Sequence, residues 1–176
     1  MTDYYTDAEL GSAKKQKNRV LTWYFVIFGV YFAASVAFFA YYLTLPYSGY
    51  RDTAHTISLL KWGHYSLTAV FVIFSFIYLG IPFKRVRRYY KMCVNLSTGL
   101  KETSVGNFLE YDEHIQDKDG VDFKALVFIE WNKYKKDFFE RKVLVFYEKP
   151  FPEIPEKANV SYVTQGNVLV SYEILS

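Results

Sequence analysis

A chain of 176 residues has room for one or two domains. Its single cysteine, Cys93, excludes an intrachain disulfide and with it a disulfide-stapled secreted scaffold. The net charge of +3 points to nucleic acid only until it is followed along the chain: residues 84–99 carry five cations and no carboxylate, while residues 100–176 carry ten cations against fourteen carboxylates. A short basic collar next to an acidic domain reads as membrane topology, not as a nucleic-acid surface.

Residues 1–19 form a polar N-terminal segment that ends in Lys14, Lys15, Lys17 and Arg19. Residues 20–50 then contain no Asp, Glu, Lys, Arg or His, and residues 20–43 are long enough for a first transmembrane helix, since about 20 helical residues cross a hydrocarbon core. Val, Leu, Ile and Phe occupy eleven positions between 20 and 42, and no polar stripe recurs at helical period as it would on a soluble surface helix. The stretch is too long, and starts too far into the chain, for the apolar region of a cleaved signal peptide. Gly29, Ala33 and Ala37 recur every four residues, which places them on one face where another backbone can approach closely. That face is expected to pack against the second span of the same chain, or else against a partner helix or a second copy.

Residues 44–63 form the expected extracytoplasmic loop, with Pro46 and Ser48-Gly49 as turn chemistry and Asp52-Thr53 as a helix cap ahead of a short outer helix. His55 and His64 with Asp52 lack the i, i+4 spacing of helical metal ligands, and no further ligand lies nearby. Residues 64–83 make the second span, whose only ionisable groups are His64 and tyrosines. Neither span carries the mid-membrane charges of a transporter or pump. Lysine and arginine crowd the outer flanks of the pair, with Arg51 and Lys61 alone between the spans, so both termini are expected in the cytoplasm of a multi-pass plasma (inner) membrane protein.

Residues 84–99 are a basic juxtamembrane linker in which Lys84, Arg85, Arg87, Arg88 and Lys91 serve topology or contact anionic lipid. Val86, Tyr89, Tyr90, Cys93 and Leu96 recur at helical spacing, Gly99 supplies a stop, and Pro82 is placed to bend the junction.

Beyond residue 100 the period changes from helical to alternating. Stretches 105–115, 121–131, 138–147, 159–163 and 168–175 are rich in β-branched and aromatic residues. Turn signals divide them: Asp117-Lys118-Asp119-Gly120, Asn132-Lys133-Tyr134-Lys135-Lys136, the prolines of residues 150–155, and Gln165-Gly166-Asn167. Five strands in residues 100–176 close most economically into a small oligonucleotide-binding-type or SH3-like barrel, because an open sheet of that size leaves edges uncovered. The expected fold class is therefore α+β, a two-helix transmembrane hairpin followed by a small all-β cytoplasmic domain. In residues 125–129 and 143–147 apolar side chains point both ways, so one outer face of the barrel needs a cover: the linker helix, a partner or another protomer. This layout resembles bacterial membrane proteins that end in an oligonucleotide-binding-type or pleckstrin-like domain, although the sequence carries the diagnostic motif of neither.

The chain has no Gly-rich phosphate loop, GxSxG elbow, HExxH pair or cysteine cluster. Asp117 opens a calcium-loop-like run, but the twelfth position is Phe128 where a bidentate Glu is required. His114 lies near Asp112, Glu113 and Asp117, a setting able to tune an imidazole, with no nucleophile beside it. The expectation is a non-enzymatic interaction or assembly subunit of a membrane complex, in contact with the lipid bilayer and with a protein partner or a second copy. It takes no cofactor, metal or nucleic acid. The alternative is a lipid-contacting sensor or anchor that uses the collar, and after that a membrane-embedded enzyme using His114, His55 or His64.

Overall fold

The computed structural model describes residues 1–46, 51–132 and 134–175, without the side chains of residues 51 and 52. Ser48-Gly49, the Asp52 cap and Lys133 therefore lie outside the described residues. The chain divides into two compact units, one made of residues 1–15 and 85–176 and the other of residues 16–84.

The second unit is a pair of apolar helices. Helix α1 (Asp7–Thr44) and helix α2 (Arg51–Tyr78) are both long and apolar enough to cross a bilayer. Their mutual face is aromatic. Tyr31 stacks on Phe71 with ring centroids 4.2 Å apart, and its hydroxyl lies 3.1 Å from Thr68 Oγ1. Tyr24 stacks on Tyr78 at 6.0 Å, and Tyr78 donates to the carbonyl of Val20 at 2.9 Å. Most other large apolar side chains point outward, including Val30, Phe76 and Ile81. The separate outer helix expected before the second span is not formed. Arg51–Tyr78 is continuous, because residues 53–62 contain no breaker and Gly63 sits in ordinary van der Waals contact with Phe38. After Tyr78 the ladder loosens into a π-helical turn (Leu79–Phe83) around Pro82, whose missing N–H and bulky ring an α-turn does not accommodate. Helix α3 (Lys84–Thr98) follows directly. At its end Gly99 donates to the carbonyl of Asn95 at 2.7 Å, and a Cβ there would come within 2.5 Å of that oxygen. The expected stop is thus enforced by close approach.

The first unit is a closed barrel of five strands: β2 (Glu102–Lys118), β3 (Val121–Asn132), β4 (Asp137–Phe146), β5 (Asn159–Gln165) and β6 (Val168–Ile174). Each contains or closely tracks one of the five expected stretches, β2 running further at both ends. The hydrogen-bonded circuit is β2–β3–β4–β6–β5 and back to β2, antiparallel except for the β4–β6 pair. Both two-residue turns are of the kind hairpins favour. Asp119 (φ 56°) and Gly120 (φ 75°) join β2 to β3, and Gly166 (φ 52°) and Asn167 (φ 67°) join β5 to β6.

Alternation along the strands sorts two cores. Phe108, Leu126, Phe128, Val143, Val145, Val160, Tyr162 and Leu169 fill the barrel interior together with Ile154 of the proline-rich loop. That loop is held over one mouth by Tyr111, whose hydroxyl accepts the Ile154 N–H at 3.0 Å and shares its one proton between the carbonyls of Pro152 and Ile154, 3.0 and 3.1 Å away. The alternate residues Phe123, Ala125, Leu144, Phe146, Val168 and Val170 form an outer face covered by Met92, Cys93 and Leu96 of α3. The linker helix is therefore the cover that two-sided strands demand.

The N-terminal segment shares that role, which its polar sequence did not announce. Strand β1 (Thr2–Asp3) pairs with β6, Tyr5 and Ala13 are buried in the outer core, and the Tyr5 hydroxyl donates to the carbonyl of Cys93 at 2.9 Å. Lys149 ties the same segment down by an ion pair to Glu9 and a 2.6 Å bond to the carbonyl of Tyr4. Cys93 is fully buried and burial pushes its thiol pKa up, so it is an inert core residue without the exposed thiolate character that modification requires.

Candidate functional site

The interior register continues past the apolar core into a polar cluster. Glu130 lies two residues beyond Phe128, Arg141 two before Val143 and Thr164 two beyond Tyr162, so all three point inward at the barrel mouth away from the proline-rich loop. Arg141 donates to Glu102 Oε2 at 2.9 Å, Ser104 Oγ at 2.8 Å and Asn167 Oδ1 at 3.3 Å, and faces Glu130 Oε1 at 3.5 Å. The Tyr162 hydroxyl donates to the same Glu130 oxygen. Burial raises the Glu130 pKa and Arg141 opposes that rise. A carboxyl, a guanidinium and a phenol could exchange protons, but each is already spent on the others. The cluster caps the apolar interior at this end of the barrel.

Asp112 bonds Lys142 Nζ at 2.8 Å and accepts the His114 backbone N–H at 3.1 Å. The Lys142 ammonium holds Asp112 below the usual carboxylate range. His64 packs beside Phe38, with ring centroids 6.2 Å apart, and His55 is exposed. Among the described residues no three His, Cys, Asp or Glu side chains gather as a metal site.

The collar residues Lys84, Arg85, Arg87, Arg88 and Lys91 are all exposed. Among the described residues Arg85 alone of these makes an ion pair, with Glu148 at 3.8 Å; a pair so open to water is worth little. Arg88 and Lys91 flank a groove of about 470 Å³ whose other wall is Asp117, Asp119 and Gly120 of the β2–β3 turn. Two cations against two carboxylates leave the groove without a dominant sign. Sequence reasoning missed this juxtaposition, because the turn and the collar are remote along the chain.

Gly29 and Ala33 lie on the open side of α1, whereas Ala37 borders a shallow groove shared with Leu60 of α2. All three are exposed, and nothing lies within 4 Å of the position a Cβ on Gly29 would take. Helix α1 packs through Tyr24, Tyr31 and Phe38 instead, since large rings fill the gap between two helices that small residues would leave empty.

A fourth surface lies at the β3–β4 hairpin. Trp131 and Phe138 are register partners whose rings meet edge to face at 4.9 Å, and they remain 50% and 62% exposed. The turn beyond them is built by Asn132, whose Oδ1 accepts the N–H groups of Tyr134 and Lys135 at 2.9 and 3.1 Å and whose carbonyl accepts that of Lys136 at 2.9 Å.

No protein-family model, no curated protein and no solved structure matches this chain.

Proposed function

We propose that this chain is a multi-pass subunit of the plasma (inner) membrane, anchored by α1 and α2 with both termini and the barrel on the cytoplasmic side. There it recognises another protein, or a second copy of itself, within a membrane complex and performs no chemistry of its own. The observation that carries the reading is the exposed small-residue face of α1. Close helix approach in lipid favours such residues, and Gly29, Ala33 and Ala37 all stay exposed along the helix. The outward-facing apolar side chains of residues 16–84 support a lipid surround, and the lysine and arginine bias of the flanks supports the orientation.

The barrel is read as the oligonucleotide-binding type, a five-stranded Greek-key closure, because one parallel pair joins β4 to β6. Such barrels bind strands across their second and third strands, here β3 and β4. Half of that face is buried under Met92, Cys93 and Leu96. This, with the domain's excess of carboxylates, argues against nucleic acid as the partner.

Purification in mild detergent tests the reading: a stoichiometric partner or a dimer is expected, and Gly29→Leu with Ala33→Leu should release it while leaving the barrel folded. A wild-type chain that emerges as a lone monomer contradicts it. A second reading, lipid contact, is favoured by the exposed Arg87, Arg88 and Lys91.

A further inference from the structure

We infer that the tip of the β3–β4 hairpin is a contact site for an anionic bilayer surface; this rests on the membrane-anchor reading but concerns a site that reading does not use. A Trp–Phe cross-strand pair serves the hairpin itself, but the Tyr134 side chain is 99% exposed. Its display is built in: Asn132 fixes the turn by accepting three backbone N–H groups, two at its Oδ1 and one at its carbonyl, and Lys136 holds a left-handed φ of 52°, which is uncommon for a lysine. A preformed turn pays little ordering entropy on binding.

The chemistry of the tip selects its occupant. Trp131 and Tyr134 are the amphipathic rings that settle at headgroup depth. Lys135 and Lys136 are exposed beside them, so among the described residues the tip carries two lysines against Asp137 in a domain that is otherwise acidic. A local cationic, aromatic prominence on an anionic body complements a surface of negative headgroups. The chain's own apolar helices would keep the domain tethered at such a surface, so even a weak contact operates at high effective concentration.

The test uses the full chain reconstituted in vesicles of phosphatidylcholine and phosphatidylglycerol containing lipid brominated near the headgroup end of its acyl chains. The Trp131 signal is obtained as the difference between wild type and Trp131→Phe. Quenching of Trp131 by roughly twofold is expected in anionic vesicles, with loss of that quenching in pure phosphatidylcholine, in molar salt and in Lys135→Glu/Lys136→Glu. An unquenched Trp131 beside quenched Trp23 and Trp62 overturns the proposal and spares the anchor. Three unquenched tryptophans overturn both. Quenching that survives the lysine reversal, or that arises from an added oligonucleotide in place of lipid, also overturns it.

Discussion

Arg141→Met should destabilise the barrel by roughly 3–5 kcal/mol, the cost of removing one partner from a buried ion pair. Side-chain exposures of 14% for Arg141 and 11% for Glu130 leave little solvent to take the place of the lost contact. The Glu130 carboxylate would keep only the Tyr162 hydroxyl, in an interior where an unpaired charge is expensive. The pH dependence gives a sharper signature. Burial already places the folded-state pKa of Glu130 above its unfolded value, near 4.3 for a free Glu. A carboxyl raised in this way favours the folded state at low pH, and that contribution is lost as pH rises through the interval between the two values. Without Arg141 the interval widens upward. The variant should therefore be far weaker than wild type at about pH 8 and recover much of the difference near pH 4.5. Glu130→Gln/Arg141→Met should be less destabilised than Arg141→Met at about pH 8, with little further gain on acidification. Thermal unfolding of the solubilised chain, followed by near-UV circular dichroism, measures all three; an equal loss at both pH values would refute the charge argument.

Leu96→Ala should cost about 2–5 kcal/mol, the usual range for truncating a buried leucine. Leu96 is completely buried in the outer core, one turn beyond Met92 and Cys93, where α3 covers the apolar outer face of β3, β4 and β6. A neighbour on the exposed side of the same helix provides the control: Lys91→Ala should change stability by no more than about 0.5 kcal/mol. The expected result is early unfolding of Leu96→Ala together with faster proteolysis in residues 84–99. A melting curve that matches Lys91→Ala would mean that α3 is a passive linker and does not form part of the domain.

The β-domain was legible because its signals are local. Asp119-Gly120 and Gly166-Asn167 dictate two-residue turns whatever surrounds them, and the switch from helical to alternating period falls at the end of α3, where Gly99 has no room for a side chain. The cover on the barrel was legible as a need, since strands apolar on both sides cannot face water, and α3 had the matching stripe. What escaped was long-range. Tyr5 meets the carbonyl of Cys93 across 88 positions, and the Tyr4 hydroxyl meets that of Pro150 across 146. No local pattern in a short polar segment announces such pairings. The polar cluster at the barrel mouth escaped for a different reason: charged residue types ordinarily face water. The register of Glu130 and Arg141, two residues from Phe128 and Val143, was the available sign that they point inward. The uninterrupted helix Arg51–Tyr78 shows a third cause, since a polar segment ahead of an apolar one can share its backbone conformation. Among the candidate site residues, the collar was found from its charge, whereas the groove that Arg88 and Lys91 share with Asp117 and Asp119 needed the fold.

The account depends most on where residues 16–84 reside. Extraction of native membranes with alkaline carbonate, which strips peripheral proteins and leaves spanning ones, tests this directly. The full-length chain should remain in the membrane pellet and leave it only with detergent. Recovery of the chain in the carbonate supernatant would contradict the account at its base, and with it the anchor, the orientation and the hairpin contact.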